Sequence, residues 1–192
     1  MIAVIFGIQG VGKSTLVKTV IEKRPNIKRL YWGEMALNEA KKQGLVETID
    51  DIRKLAVPVQ KKLQKIVGKE ISEMVNKNRS QDYIIETHAA LKTRQGFMPG
   101  FTREMLEEIK PDIFVVIESH AMDIYHRRIF DTERKRDHDK SVKEIQLNLD
   151  ATRWFASNFV TLTAANLLIV ENIEDNVNVA VDTVVEALDL YK

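Results

Sequence analysis

Cysteine is absent from the 192 residues, which excludes disulfides, thiol catalysis and any cysteine-ligated zinc site. A charge excess of one sign is also lacking. The 29 Lys+Arg and 28 Asp+Glu leave a net +1, without the basic surplus of a dedicated nucleic-acid or membrane-surface binder. Nowhere do the ~18 consecutive apolar residues needed for a bilayer span occur. Residues 1–7 are apolar, but they lack a basic n-region and are too short for the core of an export signal. No repeat, low-complexity tract or linker is visible. These absences lead to the expectation of one soluble, cytoplasmic domain with no nucleic-acid or membrane partner. A 44% hydrophobic and 30% charged composition over this length is enough for a buried core and argues against disorder.

Short Val/Ile-rich runs at 2–6, 83–85, 113–117 and 167–170, with a weaker one at 27–32, read as strands. They are continuously apolar rather than alternating, as in strands buried on both faces. Helical spacing occupies 14–24, stopped by Pro25, and also 60–75, 142–159 and 177–190. Alternating strands and helices predict an α/β fold of three layers around a parallel sheet of about five strands. Two regions break the alternation. Residues 33–77 form an all-helical excursion, and 127–143 is densely charged; both are expected to be inserts that close over a site.

The strongest local pattern is Gly7-Ile8-Gln9-Gly10-Val11-Gly12-Lys13-Ser14, followed by Thr15, a full G-x-x-x-x-G-K-[ST] phosphate loop. Its glycines let several backbone N–H groups converge on a phosphate, and the next helix adds its positive end. Lys13 is expected to reach the terminal phosphates of a nucleoside triphosphate, and the Ser14 hydroxyl to ligate Mg²⁺. The loop follows a buried-strand pattern and opens a helix pattern, which is the context such a motif requires. The guanine-reading [NT]-K-x-D segment of a GTPase is missing, and the chain is too short for the accessory regions of a motor. A small phosphotransferase remains.

Two groups of residues fit that chemistry. Arg127, Arg128, Arg134 and Arg136 lie in the charged segment; taken alone such a run is a solvated helix end, but beside a phosphate loop planar arginines can stabilise a transferring phosphoryl group. The segment holds seven basic and four acidic residues. The second group is Arg53 in the helical excursion, with Glu86, Thr87 and His88 at the carboxyl end of the third strand, where open parallel sheets bind ligands. Glu86 can hold a water of the Mg²⁺ shell, and His88 can bond the acceptor. The other three histidines have no ligand spacing.

Along nearly its whole length the chain resembles the archaeal-type adenylate kinases, a branch of the P-loop nucleoside monophosphate kinases. The resemblance rests on residues 7–15, Gly33-Glu34-Met35, Asp50-Asp51-Ile52-Arg53-Lys54-Leu55, Thr87-His88, Lys92-Thr93, Gly96-Phe97-Met98-Pro99-Gly100 and the 127–137 segment. It implies reversible Mg²⁺-dependent transfer from ATP to AMP, a helical acceptor insert at 33–77, a short lid at 127–143 and a homotrimer. Carried over by position, residues 7–15 bind ATP phosphates, with Lys13 as the phosphate lysine. Arg128, Arg134 and Arg136 become lid arginines, and Arg53 faces the monophosphate, with Glu86, Thr87, His88 and Lys92 on the acceptor side. The chain departs from the family pattern at Gln9 and Arg94 (both proline there), at Glu86 (aspartate) and at Phe101-Thr102 (Leu-Pro). A kinase for another monophosphate, or a P-loop ATPase acting as a regulator or assembly factor, stays open as an alternative.

Overall fold

A computed structural model of the chain describes residues 1–93, 95–130, 141–173 and 176–191. The first strand, β1 (Ile2–Phe6), alternates its side chains between two cores. Ala3 and Ile5 enter one hydrophobic cluster, while Ile2, Val4 and Phe6 enter the other. A strand buried on both faces must sit mid-sheet, and β1 does. The main sheet runs β2 (Lys28–Tyr31), β3 (Tyr83–Thr87), β1, β6 (Ile113–Glu118), β7 (Asn166–Glu171), and every pairing is parallel. The chain therefore leaves β1 in the middle of the sheet, with β3 on one side and β6 on the other. The crevice beyond the carboxyl ends at this reversal is where such sheets take ligands.

On the first face pack α1 (Lys13–Lys23), α8 (Val177–Asp189), Ile124 of α6 (Ala121–Ile129), and Ile145 and Leu149 of α7 (Val142–Thr163). On the second pack α2 (Trp32–Lys42), α4 (Val57–Lys77), α5 (Arg103–Ile109) and the later turns of α7, through Ala156 and Phe159. A smaller cluster of Ala40, Val46 and Leu63 joins α2 to α4, with Ile52 of the one-turn α3 (Ile49–Ile52) against it. No described helix is long and apolar enough to cross a membrane.

The five expected strands and four expected helices are all found, with shifted ends. Three features were not expected. An antiparallel hairpin of β4 (Ala90–Thr93) and β5 (Gly96–Pro99) follows β3 as a separate two-stranded sheet. Helix α5 is only two turns long and starts at Thr102, whose hydroxyl accepts the Met105 N–H at 3.3 Å. Helix α6 takes in residues 127–129, so Arg127 and Arg128 stand on its last turn rather than on a detached lid. Of the rest of the expected lid, Ser141, Val142 and Lys143 cap and open α7, and residues 131–140, including Arg134 and Arg136, lie outside the described residues. Arg94 also lies outside them.

The Phe101-Thr102 departure has a packing explanation. Phe101 is buried edge-on to Phe6 and Trp32, with ring centroids 6.0 and 5.3 Å apart, and Phe159 closes the group. These aromatic contacts form the floor on which the second face rests.

Candidate active site

The phosphate loop turns through two left-handed glycines, Gly10 (φ 83°) and Gly12 (φ 86°). A Cβ on Gly12 would lie 2.3 Å from Asn172 Nδ2, so the position excludes side chains on two counts. Asn172, just past β7, is buried and donates through Nδ2 to the Val11 carbonyl at 2.8 Å, fixing the loop from behind. Gly12 caps α1 without any side-chain hydrogen bond, whereas Thr102 and Ser141 cap α5 and α7 with theirs. The first N–H groups of α1 are thus left for an anion.

Lys13 is only 6% exposed and Glu86 fully buried. Lys13 Nζ stands 3.2 Å from Glu86 Oε1, and Ser14 Oγ donates to the same oxygen at 2.5 Å. The other carboxylate oxygen, Oε2, accepts from Arg29 Nε at 2.9 Å and from Arg29 Nη2. Burial alone would raise the Glu86 carboxyl; the Lys13 charge, the Ser14 hydroxyl and Arg29 overcome it and hold it below its ordinary range. Burial is also the main reason Lys13 is lowered, opposed by Glu86 and reinforced by the charges of Arg29 and Arg53. Tyr31 lies between the two cations, its ring centre 6.0 Å from Lys13 Nζ and 5.0 Å from Arg29 Cζ.

A cavity of about 400 Å³ opens above this group. Gln9, Gly10, Gly12, Lys13, Ser14 and Thr15 line one end. Trp32 and Ala36 of α2, Ile52 and Arg53 around α3, Leu63 and Gln64 of α4, and Thr87 and His88 line the rest. Gln64 is buried and donates through Nε2 to the carbonyls of Pro99 and Gly100, both at 2.7 Å. His88 is partly exposed toward the cavity and otherwise walled by protein. That burial, and then the Lys13 and Arg53 charges, push its imidazole well below 6.5. It is therefore neutral near pH 7.

Of the residues singled out in the sequence, the loop residues other than Gly7 and Val11, together with Arg53, Thr87, His88 and Arg127, share this one cavity. Glu86 sits beneath it, bonded to Lys13 and Ser14. Lys92 is not among its walls; it lines a smaller adjoining cavity and pairs with Glu144 at 3.8 Å. Arg128 donates through Nε and Nη2 to the Gln9 carbonyl at 3.0 and 2.6 Å, and Arg127 to the Gly10 carbonyl at 3.4 Å. In this structure the two arginines thus bond loop carbonyls, with Arg127 lining the main cavity and Arg128 the smaller adjoining one. Arg29, Tyr31, Gln64 and Asn172 were not anticipated. Only Arg29 carried a sequence signal, a cation inside an otherwise weak strand candidate.

A loop of N–H groups closing on a buried lysine, at the end of the central strand of a parallel sheet, defines a small P-loop nucleotide-binding domain. The comparisons agree. A family profile described as an AAA domain matches residues 6–146. A shikimate kinase from Bacteroides thetaiotaomicron superposes with a TM-score of 0.64 at 16% identity, covering 98% of both chains, which concerns the fold alone. Adenylate kinases of Pyrococcus abyssi (36% identical), Thermococcus onnurineus (37%) and Methanopyrus kandleri (34%) align over 98%, 98% and 95% of this chain, and over 95%, 95% and 94% of their own. The chain belongs to the adenylate kinase family and is a nucleoside monophosphate kinase.

Proposed function

We propose that the chain transfers the γ-phosphoryl group of ATP·Mg²⁺ reversibly to AMP, giving two ADP. The observation that carries this reading is that one cavity joins Lys13 and Ser14 to Arg53, Gln64 and His88. Donor phosphates on the loop and an acceptor phosphate near Arg53 would then meet without water between them. The choice of adenine is supported by Gln64. With its amide nitrogen committed to two carbonyls, it offers an acceptor oxygen, which suits the amino group of adenine and opposes the carbonyl of guanine.

No covalent intermediate is needed, because the acceptor phosphate oxygen is already a nucleophile and catalysis is positioning plus charge stabilisation. Lys13 would neutralise charge on the donor phosphates, with Arg128, Arg134 and Arg136 adding to it on closure. The donor set fits magnesium: Ser14 Oγ and Glu86 Oε1 are hard oxygens at one spot, and this ion takes one or two protein oxygens with phosphates and waters completing its shell. Ser14 would ligate it and Glu86 would hold one of its waters; when bound it offsets charge between the terminal phosphates. The homotrimer belongs to the same reading, and the exposed Trp154 (60%) and Leu162 (55%) of α7 give it an apolar surface.

Initial rates with ATP·Mg²⁺ against AMP, GMP, CMP, UMP and dTMP test the assignment. AMP is expected to be preferred at least about tenfold over GMP. Faster turnover of another monophosphate would replace the acceptor, and phosphate release unaffected by any of them would favour the slow ATPase. A monomeric mass in sedimentation would remove the trimer.

A further inference from the structure

Glu86 has two oxygens with separate duties. Oε1 faces Ser14 and Lys13, and Oε2 is held by Arg29 through two N–H groups. A glutamate buried to 0% exposure has three torsions, and its head group stays where the side chains bonded to it hold it. Arg29 reaches it from β2, registered directly beside β3 with Arg29 opposite Ile84 and Tyr31 opposite Glu86. The guanidinium also lies 5.0 Å from the Tyr31 ring, which restricts its own movement. Without Arg29, the second oxygen would be an unpaired buried charge and would compete for Lys13 and Ser14.

We infer that Arg29 is a positioning residue of the kinase reaction. By tethering Oε2 it keeps Oε1 on Ser14, and it leaves Lys13 with one long contact to the carboxylate instead of a close pair, so that the ammonium remains available to donor phosphates. The tether matters in this chain because its carboxylate is one methylene longer than the aspartate of the family pattern, and the extra reach must be restrained. The inference rests on the reading that Lys13 and Ser14 serve the donor nucleotide.

The test is a double-variant cycle of Arg29→Met and Glu86→Asp, with three readouts. These are ATP binding by calorimetry with and without Mg²⁺, kcat and KM with AMP, and the thermal midpoint of the nucleotide-free protein. Arg29→Met is expected to lower kcat about tenfold and to weaken ATP binding, with the KM for AMP changed less than about twofold. Glu86→Asp alone is expected to be slow as well, because Arg29 draws the shorter carboxylate away from Ser14. The double variant is expected to outrun both single ones, whatever its thermal midpoint. Losses that multiply in the double variant, or wild-type kcat and ATP affinity in Arg29→Met, would overturn the inference. Should Met at position 29 unfold the chain, Arg29→Lys decides: a fall in kcat supports the tether and wild-type turnover refutes it. Wild-type protein that binds ATP but leaves AMP untouched would instead overturn the acceptor assignment, and the ATP-binding arm would still judge Arg29.

Discussion

The two ends of the cavity are built on different principles. The proposed donor end is the run of nine consecutive residues from Gly7 to Thr15, and the groups it would offer a phosphate are mostly backbone N–H groups that any sequence possesses. What the sequence must supply there is freedom to turn, at Gly10 and Gly12, and one buried cation, Lys13. The acceptor end is assembled from α2, α3, α4, the end of β3 and the Pro99–Gly100 strand exit, all brought together by packing. The polar groups it presents to the cavity are side chains, among them Gln64, His88 and Arg53. On the proposed reading, the donor end would serve any triphosphate and supply the chemistry, whereas the acceptor end would read identity. Substitutions at the first should act on turnover with every acceptor; those at the second should act on acceptor choice.

Lys13→Ala breaks the donor end most severely. It removes the proposed phosphate cation and leaves the buried Glu86 with Arg29 as its one charged partner among the described residues. We expect kcat to fall by at least about 10²-fold with AMP and with every poorer acceptor in equal proportion. Loss confined to one acceptor would contradict the division between the ends. The counterpart at the acceptor end is Gly100→Ala. A Cβ there would meet the His88 carbonyl oxygen at 1.8 Å, and the Gly100 N–H already donates to the Ala89 carbonyl at 2.7 Å. The strand exit and the β4 start must separate, destabilising the protein by roughly 1–3 kcal/mol in urea unfolding. Because His88 and Gln64 move with it, the KM for AMP should rise while the affinity for ATP holds.

Gln64→Leu sharpens the comparison without a backbone shift. It deletes an amide that bonds two carbonyls and that, on the proposed reading, would present its oxygen to the base. A drop of about tenfold in kcat/KM for AMP is expected, with GMP nearly unchanged, so that discrimination narrows. Equal losses for both purines would mean that Gln64 only braces the Pro99–Gly100 exit.

Legibility in the sequence follows the same division. The loop is a contiguous pattern between a buried strand and a helix, so every donor-end residue could be named from residue order alone. Of the five parallel strands, β2, which carries Lys28 and Arg29, gives the weaker signal; the other four are equally readable because continuous apolar runs have few other uses. Gln64 is not, since it lies on the long, strongly patterned α4, where its spacing resembles any core-facing position and its two carbonyl partners are 35 and 36 residues away. Asn172 bonds across 161 residues and Arg29 across 57, distances at which no spacing rule operates. The β4–β5 hairpin escaped notice because its strands are four residues each and half exposed, too short for a period to register. The resemblance implies Lys92 as an acceptor contact; the structure places it on β4, paired with Glu144 of α7 and lining the smaller cavity that also takes in Arg53 and His88.

The smallest expected effect concerns the pH response of the acceptor end. His88 is held well below 6.5 when folded, by burial first and then by the Lys13 and Arg53 charges, while in the unfolded chain it titrates near its ordinary value. Below about pH 6.5 the unfolded state therefore binds a proton that the folded state refuses, so stability falls as the pH drops through this range and is unaffected above it. The limit for one such proton is about 1.4 kcal/mol per pH unit, and the imidazole's open side toward the cavity brings the effect below that. Between pH 7 and pH 5, nucleotide-free wild-type protein is expected to lose about 1 kcal/mol more than His88→Gln in urea unfolding. The buried charge at the donor end adds no comparable term in that window, because Glu86 is held below its ordinary range and stays ionised throughout. Parallel curves for the two proteins would mean that His88 takes up its proton in the folded state despite Lys13 and Arg53. A charged imidazole would then stand where we have assigned a neutral acceptor contact.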